Sequence, residues 1–148
     1  MSAATDAQYR LTGRLTVPLP PDRAFELFTA RGEERWAAHW KPRFPLPVTD
    51  DAVPGTVFQT DAHGHATTWI VLDSTPGRRI RYARVTPQTT AGTVTVSLNG
   101  TGGRTEVTVT YELTALTEAA APGLREFAAG YPAFLTDWQH AITRSLRA

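Results

Sequence analysis

Residues 104–116, RTEVTVTYELTAL, and residues 121–146, APGLREFAAGYPAFLTDWQHAITRSL, decide the fold between them. In the first, Val107, Val109, Tyr111 and Leu113 alternate with Glu106, Thr108, Thr110 and Glu112. Period two predicts a strand with one apolar face and one wet face. In the second, Leu124, Phe127, Ala128, Tyr131, Leu135, Trp138, Ile142 and Leu146 recur every three or four residues. That is the spacing of an amphipathic helix. Pro132 removes a backbone donor and crowds the carbonyl of Ala128, so a kink is expected there, or two helices meeting near Gly130. Strands that end in one long helix are suited to wrapping their apolar face around it.

The rest of the chain supplies the sheet. Tyr9, Leu11, Leu15 and Val17 alternate with Arg10, Thr12, Arg14 and Thr16, which predicts a strand over 9–17. Pro18, Pro20 and Pro21 end it, and Pro21-Asp22 opens a short helix whose apolar face is Ala24, Phe25, Leu27 and Phe28. Residues 33–40 predict about two turns of helix, with Trp36, His39 and Trp40 on one face. Further strands are predicted over 56–60, 66–73, 78–86 and 90–99. Gly64, Pro76-Gly77, Pro87 and the glycine-rich run from Asn99 to Gly103 separate them. Turns this short imply an antiparallel meander. The expected architecture is α+β: a curved antiparallel sheet of about six strands wrapped on a long C-terminal helix, with short helices after the first strand. The 148 residues read as one domain, 1–148, with 1–8 expected to be disordered.

Composition excludes several functions. Net charge is +1, too weak a field to hold a phosphate backbone, so no nucleic-acid partner is expected. There is no cysteine, hence no disulfide and no thiolate chemistry. No basic-then-apolar leader and no run long enough to span a bilayer is visible, which leads to the expectation of a cytoplasmic protein. G-x-S-x-G and H-E-x-x-H are absent, the glycine-rich run lacks a phosphate-loop lysine, and no cofactor is expected.

Parity assigns the inner face. Val94, Val96 and Leu98 point in; with Arg79 and Arg81 outside, Ile80, Tyr82 and Arg84 also point in. An arginine carried inward needs a partner, a water or an anionic ligand group. Residues 66–73 are apolar on both faces, so parity leaves their facing open between Trp69 with Val71 and Ile70 with Leu72; the first pair is preferred as the inward one.

These segments resemble the START-like, or SRPBCC, superfamily with its helix-grip fold. The resemblance covers nearly the whole chain. It rests on LTVPLPPDRAFELF (15–28), EERWAAHWKP (33–42), GTVFQT (55–60), TTWIVLD (67–73), RIRYARVTP (79–87), EVTVTYELTAL (106–116) and FLTDWQHAI (134–142). The second and fourth pieces resemble a bacterial subgroup. Membership implies the fold and a hydrophobic cavity. It does not imply one chemistry, because the superfamily includes lipid carriers, polyketide aromatase/cyclases, hormone receptors, ring-hydroxylase subunits and activators of a chaperone ATPase.

Three functions follow as expectations. The first is a carrier for a small hydrophobic, aromatic or polyketide-like molecule. Its walls would be Trp36, Trp40, Phe58, Trp69, Tyr82, Val96, Val109, Tyr111, Phe134 and Trp138, with Arg84 as polar anchor. The second is an aromatase/cyclase-type enzyme in which Arg84 polarises a carbonyl and Tyr82 or His39 moves a proton. The third is an interaction module like the heat-shock ATPase activators, as monomer or homodimer. The bland alternatives are that the tryptophans only seal the core and that Arg84 pairs with Glu33, Glu34 or the terminal helix. His63 and His65 form an H-x-H pair across a hairpin, a spacing that alternation produces by chance, and no metal is expected.

Overall fold

The computed structural model describes residues 7–62 and 64–147. Among these, β1 (Gln8–Val17), β2 (Val57–Ala62), β3 (His65–Thr75), β4 (Arg79–Thr86), β5 (Thr90–Thr101) and β6 (Arg104–Ala115) form one antiparallel sheet. Its order is β1-β6-β5-β4-β3-β2: a meander of five strands closed by the first strand beside the last. Each strand lies where the sequence predicts one, with ends shifted by a residue or two. The inward sets hold as well. Val107, Val109, Tyr111, Leu113, Val94, Val96, Ile80, Tyr82, Trp69 and Val71 are all buried, whereas Ile70 and Leu72 are exposed. Between Val71 and Asp73 the β3–β4 register slips, and Asp73 on the outer face takes Arg81 at 2.9 Å and Arg79 at 3.3 Å. The bond from Arg81 holds that carboxyl below the usual range.

The terminal helix is two helices, α2 (Ala121–Ala129) and α3 (Tyr131–Arg147), with Gly130 between them. Pro132 therefore stands in the first turn of α3, where its missing N–H costs nothing. Tyr131, Leu135 and Ile142 face the sheet and are buried. The Tyr131 hydroxyl donates to the Val109 carbonyl at 2.7 Å, and the Thr16 N–H donates to Gln139 Oε1 at 2.8 Å. Helix α1 (Pro21–Glu26) closes one end of the sheet, with Ala24 and Phe25 inside.

One sequence expectation is corrected. Residues 33–40 do not make two turns of helix; a single 3-10 turn spans Gly32–Arg35, and His39 has a positive φ of 63°. Tertiary bonds override the helical pattern. Trp36 Nε1 donates to the Leu27 carbonyl at 2.8 Å and Trp40 Nε1 to the Ala30 carbonyl at 2.7 Å. The two indoles are pinned in different directions, so Trp36, His39 and Trp40 do not share one face.

Two interior positions carry stability consequences. Gly92 faces inward beside Val94, and a Cβ there would run into the carbonyl of Glu112 on β6. Glycine in a strand interior commonly marks such a close approach of a neighbouring backbone. Glu33, in the 3-10 turn, is half-buried, and burial holds its carboxyl well above the usual range.

Gly92→Ala is expected to cost about 2 kcal/mol or more, since backbone must shift; a chain of this size then melts roughly 4–8 °C lower. An unchanged melting temperature would contradict the close approach. For Glu33, the fold keeps a proton that the unfolded chain releases above about pH 4.3. Stability therefore falls as pH rises from there through the folded value. Glu33→Gln cannot ionise, so its melting temperature should gain on the wild type steadily from pH 4 to pH 8. A difference that does not vary with pH would refute the buried neutral acid.

Candidate ligand-binding site

Helix α3 is pinned over β1 and β6, so the span from β2 to β4 is covered by side chains from the segment between α1 and β2. A cavity of about 550 Å³ opens there. Trp40 and Trp69 form one wall, their rings edge to face at 5.6 Å. Phe134 and Trp138 of α3, with centroids 5.2 Å apart, form another, and Tyr111 of β6 reaches in beside them. Thr60 and Thr67 add polar edges; Thr60 accepts the Trp69 indole N–H at 3.0 Å. His39 and Asp61 stand at the exposed rim, where Asp61 is held by Arg43.

Arg84 lies among these rings. It sits on β4 opposite Trp69 on β3 and Gly92 on β5. The missing side chain at Gly92 leaves room beside it. Its guanidinium carbon is 5.1 Å from the Trp69 ring centroid, and Nη2 donates to Thr86 Oγ1 at 3.2 Å. Thr86 is in turn paired with Thr67 at 2.6 Å. Nε is buried with no hydrogen-bond partner. Among the described residues no carboxylate pairs with Arg84, so the expected alternative of an ion pair with Glu33, Glu34 or the terminal helix is not what forms. These contacts offset part of the cost of burial, and they leave the Nε–H without a protein partner. A desolvated cation–π contact is worth about 2 kcal/mol or more, and a hydrogen bond to a charged group about 1.5–3. Desolvating the ion costs several kcal/mol. Burial accordingly lowers the arginine's proton affinity, while the Tyr111 hydroxyl opposes that loss. The same burial pushes the Tyr111 hydroxyl up, and the guanidinium pulls it back.

Arg84 also faces a second cavity of about 280 Å³. Its walls are Leu113 of β6, Gly123, Leu124 and Phe127 of α2, Thr89 before β5 and Thr90 at its start. One guanidinium thus stands between an aromatic chamber and a smaller aliphatic one.

The structure brings Trp40, Trp69, Arg84, Tyr111, Phe134 and Trp138 together, with His39 at the rim. It does not bring Trp36, Phe58, Tyr82, Val96 or Val109 to the lining. Trp36 packs edge-on behind Trp138 at 5.2 Å, and Phe58 stacks behind Trp69 at 5.8 Å. The Tyr82 hydroxyl is spent on the Phe28 carbonyl at 2.8 Å, and burial raises its pKa well above the ordinary value. Val96 and Val109 are filled core. Sequence reasoning missed Thr60, Thr67 and Asp61. Parity carried the signal for the first two, since Thr67 shares a face with Trp69 and Thr60 with Phe58. His63 lies outside the described residues, so the H-x-H pair is not placed; among the described residues no three potential metal ligands cluster.

Similarity to known proteins fits this geometry. Residues 18–143 match the family described as activator of Hsp90 ATPase homolog 1-like protein. No curated protein matches the chain in sequence. An uncharacterised protein from Rhizobium leguminosarum superposes with a TM-score of 0.66 at 19% identity, over 93% of this chain and 95% of that one. The Aha1 dimer from Colwellia psychrerythraea gives 0.62 at 14% identity, over 90% and 96%. DynU16, a protein of the dynemicin biosynthetic locus, gives 0.60 at 18% identity, over 88% of this chain and 46% of its own. At these identities the likeness shows the fold alone, and it is the helix-grip fold that the strand order displays. Family match and architecture agree: the chain belongs to the activator of Hsp90 ATPase homolog 1-like family, within the START-like (SRPBCC) superfamily.

Proposed function

We propose that this protein binds and carries a small, flat, hydrophobic molecule, aromatic or polyketide-like, in the cavity between α3 and the β2–β4 side of the sheet. The observation that carries the reading is a space of about 550 Å³ walled by Trp40, Trp69, Phe134 and Trp138. Such a space suits a planar guest, because indole faces offer large contact area at little entropic cost. The place of the fold neighbour DynU16 in a biosynthetic locus supports a small-molecule ligand.

The carrier reading is favoured over the cyclase reading by the fate of the proton-moving candidates. The Tyr82 hydroxyl already donates to a backbone carbonyl, and His39 stands at the exposed rim. The family description favours a second reading, in which the outer surface binds a partner protein. Val57, Ile70 and Val85 are exposed on the outer faces of β2, β3 and β4, where a partner would dock. An open aromatic chamber is not needed for that role, and so the ligand reading is preferred.

Titration with the neutral probe 2-naphthol, followed by tryptophan fluorescence, tests the proposal. Saturable quenching is expected, and Trp138→Ala should weaken binding by about tenfold or more while the variant still melts cooperatively. Absence of saturable binding to the wild type, or an unaffected Trp138→Ala, would refute the proposal.

A further inference from the structure

Three features of Arg84 bear on what the ligand carries. Its Nε–H is buried without a partner, no carboxylate of the described chain reaches it, and its group faces two cavities at once. A guanidinium cannot escape its burial by losing a proton, as a lysine or histidine would. The half-buried guanidinium therefore keeps one buried donor, its Nε–H, without a protein partner beside the rings. Its remaining donors form a planar fork that matches a carboxylate in shape and charge. Wall chemistry then places the other parts of the guest. The larger chamber offers indole and phenyl faces for a flat ring. The smaller one offers Leu113, Leu124 and Phe127, a lining suited to a flexible alkyl group.

We infer that the two chambers together take an aromatic carboxylate: its ring among the indoles, its carboxylate on Arg84, and an alkyl substituent next to the carboxylate in the chamber under α2. This rests on the binding reading above and names the class of molecule bound. It also assigns Arg84 a cost to the empty protein that an anionic guest removes. Gly123 becomes a specificity position. Gly123 is exposed on the chamber's lining and an added Cβ there meets nothing within 4 Å, so the helix accepts a larger residue at the rim of the smaller chamber.

Calorimetric titration of the full chain separates the parts. The probes are 2-naphthoate, its neutral isostere 2-naphthamide, and 3-hexyl-2-naphthoate. The wild type should bind 2-naphthoate roughly tenfold to a hundredfold more tightly than 2-naphthamide, and 3-hexyl-2-naphthoate more tightly still. Arg84→Met should erase the preference for the acid over the amide and melt higher than the unliganded wild type. Gly123→Leu should erase the gain from the hexyl chain and leave 2-naphthoate binding intact. Equal affinity of the wild type for acid and amide overturns the inference while leaving the cavity reading in place. Failure of every probe to bind removes both. A hexyl gain that survives Gly123→Leu overturns the assignment of the second chamber. The acid–amide comparison on the wild type needs no variant, so misfolding of Arg84→Met cannot shield the proposal.

Discussion

Leu135 of α3 rests directly on the backbone of β1 at Gly13, where any side chain would collide with its Cδ1. That contact fixes how near the helix approaches the sheet and over which strands it lies. Tyr131 and Gln139, one turn to either side, are bonded to β6 and β1. The helix is thereby tied to the β1–β6 flank. A twisted sheet bends away from a straight rod, and the far flank is left for α1, the segment from there to β2 and aromatic side chains to cover. Burial against the first flank stabilises the fold at roughly 25 cal/mol per Å² of apolar area. Incomplete cover of the second leaves the chamber.

The chamber is set among two aromatic clusters. Phe28, Trp36, Trp138, Phe134, Phe127 and Tyr111 run in sequence along the helix side, with successive centroids between 5.0 and 6.1 Å apart. Phe44, Phe58, Trp40, Trp69 and Tyr82 form the other cluster on the loop and sheet side. The indole N–H groups of Trp36, Trp40 and Trp69 are all satisfied by the protein. Of these, Trp40 and Trp69 line the chamber and present it ring faces rather than indole donors. The polar character of the interior falls to Arg84, Tyr111 and Glu33. Glu33, which burial favours in its protonated form, makes no ion pair among the described residues.

How much of this was legible in the sequence depended on whether local pattern or tertiary contact decided the outcome. Strand alternation settled which residues face inward on the half-wet strands, because a one-residue slip would expose an entire hydrophobic row; Arg84 and Tyr111 were found that way, whereas the strand of Trp69 is apolar on both faces and parity left its facing open. The break near Gly130 was readable from Pro132. The path of residues 33–40 was not, because Trp36 and Trp40 are anchored to carbonyls of Leu27 and Ala30, contacts that no periodicity encodes. Wall and core were also confused. Parity says that Phe58, Val96 and Val109 point inward but not whether another side chain covers them, and depth below a cavity surface is a property of packing. The second chamber was invisible for the same reason: Thr90, Leu113 and Leu124 meet only once α2 is laid over the sheet.

The central proposal is that an anionic guest engages the Arg84 Nε–H, which is buried without a protein partner. The most direct measurement is the NMR resonance of the Arg84 Nε–H, assigned by its loss in Arg84→Met, as 2-naphthoate is added. A charge-assisted hydrogen bond should move that proton downfield and slow its exchange with solvent, with both changes saturating together. A resonance that exchanges rapidly in the free protein and does not move at saturating 2-naphthoate would contradict the account.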